Sequence, residues 1–141
     1  MLRAVTRAFI ALLILSMTSV AGAENDEEEQ ERQPSTYLEL TPDFVVNIGE
    51  PDAGRNFLKA EVTLRFEGEE RMERAQAHEP WLRHKMVMLL SGQPIDRVSS
   101  AEGQDELRGE ALQRLNELLE EETGEPLVRE VLFPSFITQT R

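Results

Sequence analysis

The 141-residue chain has no cysteine, which excludes a disulfide framework, thiol catalysis, thiolate zinc sites and acylation as a lipoprotein. Basic residues are scarce: 15 against 27 acidic ones, a formal net charge of -12. A surface of that sign repels nucleic acid and anionic headgroups, so no nucleic-acid partner is expected. No uncharged run is long. The best, Ala8–Val20, falls short of the about 20 apolar residues that cross a bilayer core. Glycine is present only 8 times, and never as G-x-G-x-x-G, a P-loop or a G-x-S-x-G elbow, so no nucleotide cradle or serine nucleophile is visible. The two histidines, His78 and His84, stand about 120° apart if both lie on one helix, which is not the spacing of a metal pair. What remains is 40% hydrophobic and 30% charged, the balance of a soluble globular protein with one small domain.

The amino terminus reads as an export signal. Arg3 and Arg7 precede the apolar run, and Ala21-Gly22-Ala23 supplies the small-residue pattern for cleavage before Glu24. The alternative is an uncleaved anchor over Leu2–Ala23, retained in the inner membrane. Either way the body lies outside the cytoplasm. Cleavage would leave 13 basic against 27 acidic residues, a net -14. The expected organisation is therefore a signal or anchor over residues 1–23, an acidic flexible linker over 24–36, and a domain over 37–141. The linker has acids at 24, 26, 27, 28, 29 and 31 and no large apolar residue, and it lacks the glycine turn and spaced ligands of a calcium loop.

Within the domain, Tyr37–Ile48 has β composition broken at Pro42, and Gly49–Gly54 has turn chemistry. Leu58, Ala60, Val62, Leu64 and Phe66 alternate with Lys59, Glu61, Thr63 and Arg65, the period of a strand with one buried and one wet face. These two segments are expected to pair as an antiparallel hairpin. The period then becomes helical over Glu69–Leu90, with Leu82, Met86, Leu89 and Leu90 as a stripe. Pro80 either kinks that helix or restarts it. Ser99 or Ser100 caps a second helix, whose stripe is Leu107, Ala111, Leu112, Leu115, Leu118 and Leu119 and whose stop is Gly124. Val128–Gln139 is a third strand, with Pro134 marking an edge or a bulge. The reading is an α+β domain of order β-β-α-α-β, with the helices on one face of an antiparallel sheet.

No catalytic residue, cofactor site or metal site emerges, so the chain is not read as an enzyme. Trp81 is first read as the largest piece of the core, with an interface anchor as the alternative. Met88, in the dense run Met86–Leu90, and Phe133 and Phe136, flanking Pro134, are the other candidates for a protein interface. Glu120–Glu122 sit oddly at a helix end whose dipole they oppose.

Taken in order, these segments resemble the FliL family of the bacterial flagellar basal body. Tyr37-Leu38-Glu39-Leu40 and Phe44-Val45-Val46-Asn47 are similar to its opening strand, and Arg55–Phe66 to its R-x-L-K-V-x-V-T-L-x-F strand. Pro80–Ser91 resembles P-x-I-R-D-x-L-x-x-L-L-S, and Ala101-Glu102-Gly103 with Leu107-Arg108 resembles x-E-G-K-x-x-L-R. Leu115-Asn116-Glu117 and Val131–Phe136 resemble the closing helix and its V-x-F-T-x-F strand. The resemblance implies a stomatin/prohibitin-type (SPFH-like) fold and a non-enzymatic role in motility. It further implies a place in the periplasm, stator and basal-body proteins as partners, and a ring-like homo-oligomer. Two departures stand out: the short cleavable start in place of a spanning helix, and Pro134 where the family often has threonine. The alternative function is that of a FliL-like envelope scaffold outside the flagellum.

Overall fold

The computed structural model describes residues 32–52 and 54–141. The expected leader, with Ala21, Ala23 and Glu24, and the linker up to Glu31 lie outside the described residues. Among the described residues there are six strands and four helices, an α+β arrangement. The strands are β1 (Ser35–Glu39), β2 (Phe44–Asn47), β3 (Phe57–Ala60), β4 (Thr63–Glu67), β5 (Glu130–Leu132) and β6 (Phe136–Gln139). The helices are α1 (Glu69–Gln76), α2 (Glu79–Leu90), α3 (Ile95–Ser99) and α4 (Ala101–Thr123).

Three long strands were expected, and each is divided in two. The pairing is β1-β4-β5 in one antiparallel sheet and β2-β3-β6 in the other. Both have the same segment order, with residues 57–67 in the middle, 35–47 on one side and 130–139 on the other. The two sheets are thus one three-segment sheet broken at a single level. The break arises because the flanking segments carry extra residues there. Register runs Glu39↔Thr63 and then Phe44↔Ala60, so Leu40–Asp43 faces only Glu61 and Val62. On the other side Thr63↔Leu132 gives way to Ala60↔Phe136, so Phe133, Pro134 and Ser135 face the same two residues. The backbone at the break stays paired: Leu40 N–H donates to Val62 O (2.9 Å) and Glu61 N–H to Ser135 O (2.9 Å).

The parity of these insertions decides what faces inward. Two extra residues on the first segment preserve the alternation, so Leu38, Leu40, Phe44, Val46 and Ile48 are all buried. One extra residue on the last segment reverses it: Val131 is buried in β5, whereas Phe136 and Thr138 turn inward in β6 and Ile137 turns out. Pro134 therefore marks both an edge segment and a bulge. The central alternation holds throughout, with Leu58, Ala60, Val62, Leu64 and Phe66 at 0–2% exposure.

The helices cover that inner face. The stripe Leu82, Met86, Leu89 and Leu90 of α2 is buried, as are Leu107, Ala111, Leu115, Leu118 and Leu119 of α4, with Leu112 half-buried. The helical region 69–90 restarts rather than kinks, because Pro80 sits in the first turn of α2, where its missing N–H is harmless. Ser100 is the cap of α4, its Oγ accepting from Gly103 N–H at 3.0 Å. Gly124 closes α4 in the left-handed conformation. The short α3 was not expected. It packs on α4 where Gly103 has no side chain: a Cβ there would stand 2.9 Å from the Arg97 Cα and closer still to its carbonyl. Arg97 then bridges Gln93 (3.0 Å) and Glu110 (3.1 Å).

Candidate interaction surface

Chemistry is sparse among the described residues. They contain no group of three or more His, Cys, Asp or Glu able to hold a metal ion. His78 precedes α2 as its N-cap residue rather than sharing a helix with His84, which removes the geometry of a pair altogether. Two open clefts of mixed lining, one including Glu67, Arg71, Leu112 and Leu127 and the other Glu39, Leu40, Glu61 and Val62, enclose about 230 and 270 Å³. Both fall below the roughly 300–1,000 Å³ typical of small-ligand sites. No described helix is long and apolar enough to cross a membrane.

The exposed apolar side chains are more informative. Trp81, expected first in the core, is 61% exposed, and Met88 is 62% exposed. The reason is geometric. Leu82, Met86, Leu89 and Leu90 already fill the inward side of α2, and at 100° per residue Trp81 lies about 125° round the helix from the centre of that stripe. Trp81, His84, Lys85 and Met88 share about 100° of arc on the outward side. The Trp81 and His84 rings meet edge to face at 6.5 Å between centroids.

The helix carrying this face is capped at its start and tied to the sheet at its end. Trp81 and Leu82 N–H donate to His78 O at its start (3.0 and 3.1 Å). At its end, Gly92 N–H donates to Asn47 O and Gly49 N–H to Gln93 O, both at 2.8 Å, tying the turn after α2 to the end of β2. Gly49 and Gly92 adopt positive φ to make these contacts. Gln93 Nε2 also caps the Leu89 carbonyl at 2.7 Å, and Arg83 lies 4.4 Å over the Phe44 ring.

Phe133 and Phe136 are brought together elsewhere. They lie on either side of the bulge with ring centroids 5.0 Å apart, and both are half-buried against the core. The outer sheet face holds exposed apolar residues that the sequence reading did not single out, namely Tyr37, Val45 and Ile137. Strand alternation was the available signal for Tyr37 and Val45, each the out-facing neighbour of a buried residue, whereas the bulge that reverses the alternation hid Ile137. Their setting is mixed. Val45 and Ile137 flank Lys59 across the register, and Tyr37 lies beside Arg65, whose Nε donates to Glu130 at 2.8 Å.

Among the described residues, a bent antiparallel sheet carries one helical layer, and α2 presents outward apolar side chains. A family model described as flagellar basal body-associated protein FliL matches residues 37–139. The match covers well over half of the chain, and the chain belongs to the FliL family. Among characterised proteins it is similar to the flagellar protein FliL of Aquifex aeolicus (strain VF5), at 29% identity over 100 residues. That alignment takes in 71% of this chain and 59% of the Aquifex protein, so the chain spans about three-fifths of the length of its relative.

Proposed function

We propose that this chain is a non-enzymatic accessory protein of the flagellar basal body, supporting stator units and motility through protein–protein contacts in the periplasm. The observation that carries this reading is the family match over residues 37–139, nearly all of the described structure. The exposed face of α2 supports it, because an outward tryptophan on a rigid helix is an economical interface anchor. In this reading residues 1–23 export the chain, the acidic segment after them sets its reach, and copies assemble into a ring through a stomatin/prohibitin-type arrangement.

The test is deletion of the gene followed by swimming assays in viscous medium, with complementation by the full chain and isolation of basal bodies. Loss of speed under load that complementation restores, with the protein co-purifying with basal bodies, supports the reading. Unchanged motility under load together with no co-purification refutes it. The amino terminus of the protein recovered from cells decides the export route. A start at Glu24 in the soluble fraction means cleavage, and an intact Met1 in the membrane fraction means an anchor.

A further inference from the structure

We infer that the outward face of α2 docks an acidic amphipathic segment of a partner protein. In this arrangement the partner's apolar residues cover Trp81 and Met88, and its carboxylates face His84 and Lys85. The inference deepens the proposed role as a contact protein by naming the partner's chemistry.

Charge is the first argument. The described residues carry a clear excess of acid, and α4 alone has eight acidic side chains against two arginines. The arc Trp81-His84-Lys85-Met88 has no carboxylate at all. The one acid of α2, Glu79, is half-buried on the opposite flank of the helix. A nitrogen-bearing apolar strip on an otherwise acidic protein complements a segment of opposite sign, and like-charged partners are rejected there.

Rigidity is the second. Pro80 fixes the backbone of the first turn of α2, and the backbone bonds of Gly92 and Gly49 tie its end to β2. The face is therefore preorganised, and docking orders little beyond the side chains themselves. The spacing is the third: Trp81 and Met88 are seven residues apart, two helical turns along one side, the separation at which a second helix places successive anchors.

Other occupants fit the charge pattern less well. Laying α2 against α2 of a second copy would bring Lys85 and His84 against their own counterparts. An anionic lipid surface would repel the acidic body that carries the helix.

Trp81 is the only tryptophan of the chain, so its emission reads occupancy of this face directly. The probes are a tryptophan-free amphipathic peptide with leucine on one face and glutamate on the other, its lysine counterpart, and phosphatidylglycerol vesicles. The full-length protein should show a saturable blue shift and protection from acrylamide with the glutamate peptide. The response should weaken as salt is raised and be about tenfold weaker with the lysine peptide. Lys85→Glu and Met88→Ser should each weaken it about tenfold while leaving the circular dichroism unchanged. No shift, an equal response to the lysine peptide, or indifference to Lys85→Glu overturns the inference. So does a peptide-free blue shift that grows with protein concentration and mass, which would assign the face to a second copy. A response to vesicles alone overturns it in favour of a membrane. None of these readouts involves a flagellum, so failure here and failure of the motility test are separate results.

Discussion

Replacing Gly103 by alanine tests the packing of α3 on α4, because two ordinary rules give opposite signs. Glycine in a helix costs about 1 kcal/mol relative to alanine, so by propensity alone the substitution stabilises. At Gly103 the added Cβ would enter the backbone of Arg97, 2.7 Å from its carbonyl carbon, and backbone cannot swing aside as a side chain would. Overpacking of this kind costs typically 1–3 kcal/mol. Displacing α3 also loosens the bond from Gly103 N–H to Ser100 Oγ, a cap worth about 1 kcal/mol. The net expectation is a loss of about 1–3 kcal/mol, a fall in Tm of roughly 5–15 °C for a domain of this size. Gly109 is the internal control. It lies in the same helix, is exposed, and would place its Cβ in open space, so Gly109→Ala should gain about 0.5–1 kcal/mol. Urea unfolding followed by far-ultraviolet circular dichroism measures both, with slope and midpoint fitted separately. Gly103→Ala at or above parental stability, or a comparable loss in Gly109→Ala, would refute the account of α3 as backbone packed on backbone.

Three further outcomes follow from the same structure. Asn116 holds Val128 by donating to its carbonyl (2.8 Å) and accepting from its N–H (2.9 Å). Asn116→Leu should therefore cost about 1–3 kcal/mol in urea unfolding, and Asn116→Asp, which keeps only the acceptor, should also be less stable than the parent. Leu64, fully buried in β4, should lose about 2–5 kcal/mol on substitution by alanine. The exposed Val45 across the break should lose well under 1 kcal/mol in the same assay. Trp81→Ser should leave stability within about 0.5 kcal/mol, and the native protein should emit near the wavelength of solvated tryptophan; a strongly blue native spectrum in dilute solution would contradict the exposed placement of Trp81.

The helical stripes, the stop at Gly124 and the alternating strand were legible because each is written in local sequence. The alternation over Leu58–Phe66 named all five buried residues, yet it could not show the break at Glu61-Val62. A sheet change in the central segment leaves its own parity untouched, and the cause lies in extra residues on segments far away in sequence. Pro42 and Pro134 marked those places, without showing that they sit at one level. The short α3 offered only Ile95 and Val98, too few positions for a period. The exposure of Trp81 was legible after all: the stripe of Leu82, Met86, Leu89 and Leu90 leaves it no inward direction. The acids after Leu119 remained unexplained by sequence because part of their compensation is non-local. Arg74 of α1 pairs with Glu125 at 2.8 Å and donates to the Thr123 carbonyl at 3.3 Å, placing a cation at the helix end that α4 itself lacks.

The two exposed apolar surfaces differ in how they meet water, and that difference singles out α2. On the outer sheet face the three exposed large apolar side chains each have a charged neighbour directly across the register: Val45 and Ile137 beside Lys59, Tyr37 beside Arg65. Long cationic side chains lay their methylenes over such neighbours and keep the face solvated, and lysine on a sheet also discourages further strand pairing. On α2, Trp81 touches the flat imidazole of His84 edge-on, and Met88 is 62% exposed. Folding gains little from either residue, since the interior is closed beneath them by Leu82, Met86, Leu89 and Leu90, all at 0–2% exposure. Covering a large apolar side chain completely is worth about 1.5–3 kcal/mol. That free energy is not realised within the described domain and becomes available only when a second surface arrives. The domain core and the α2 face are thus separable, so Met88→Ser should change association while leaving the unfolding midpoint in place, and Leu89→Ala one position away should do the reverse.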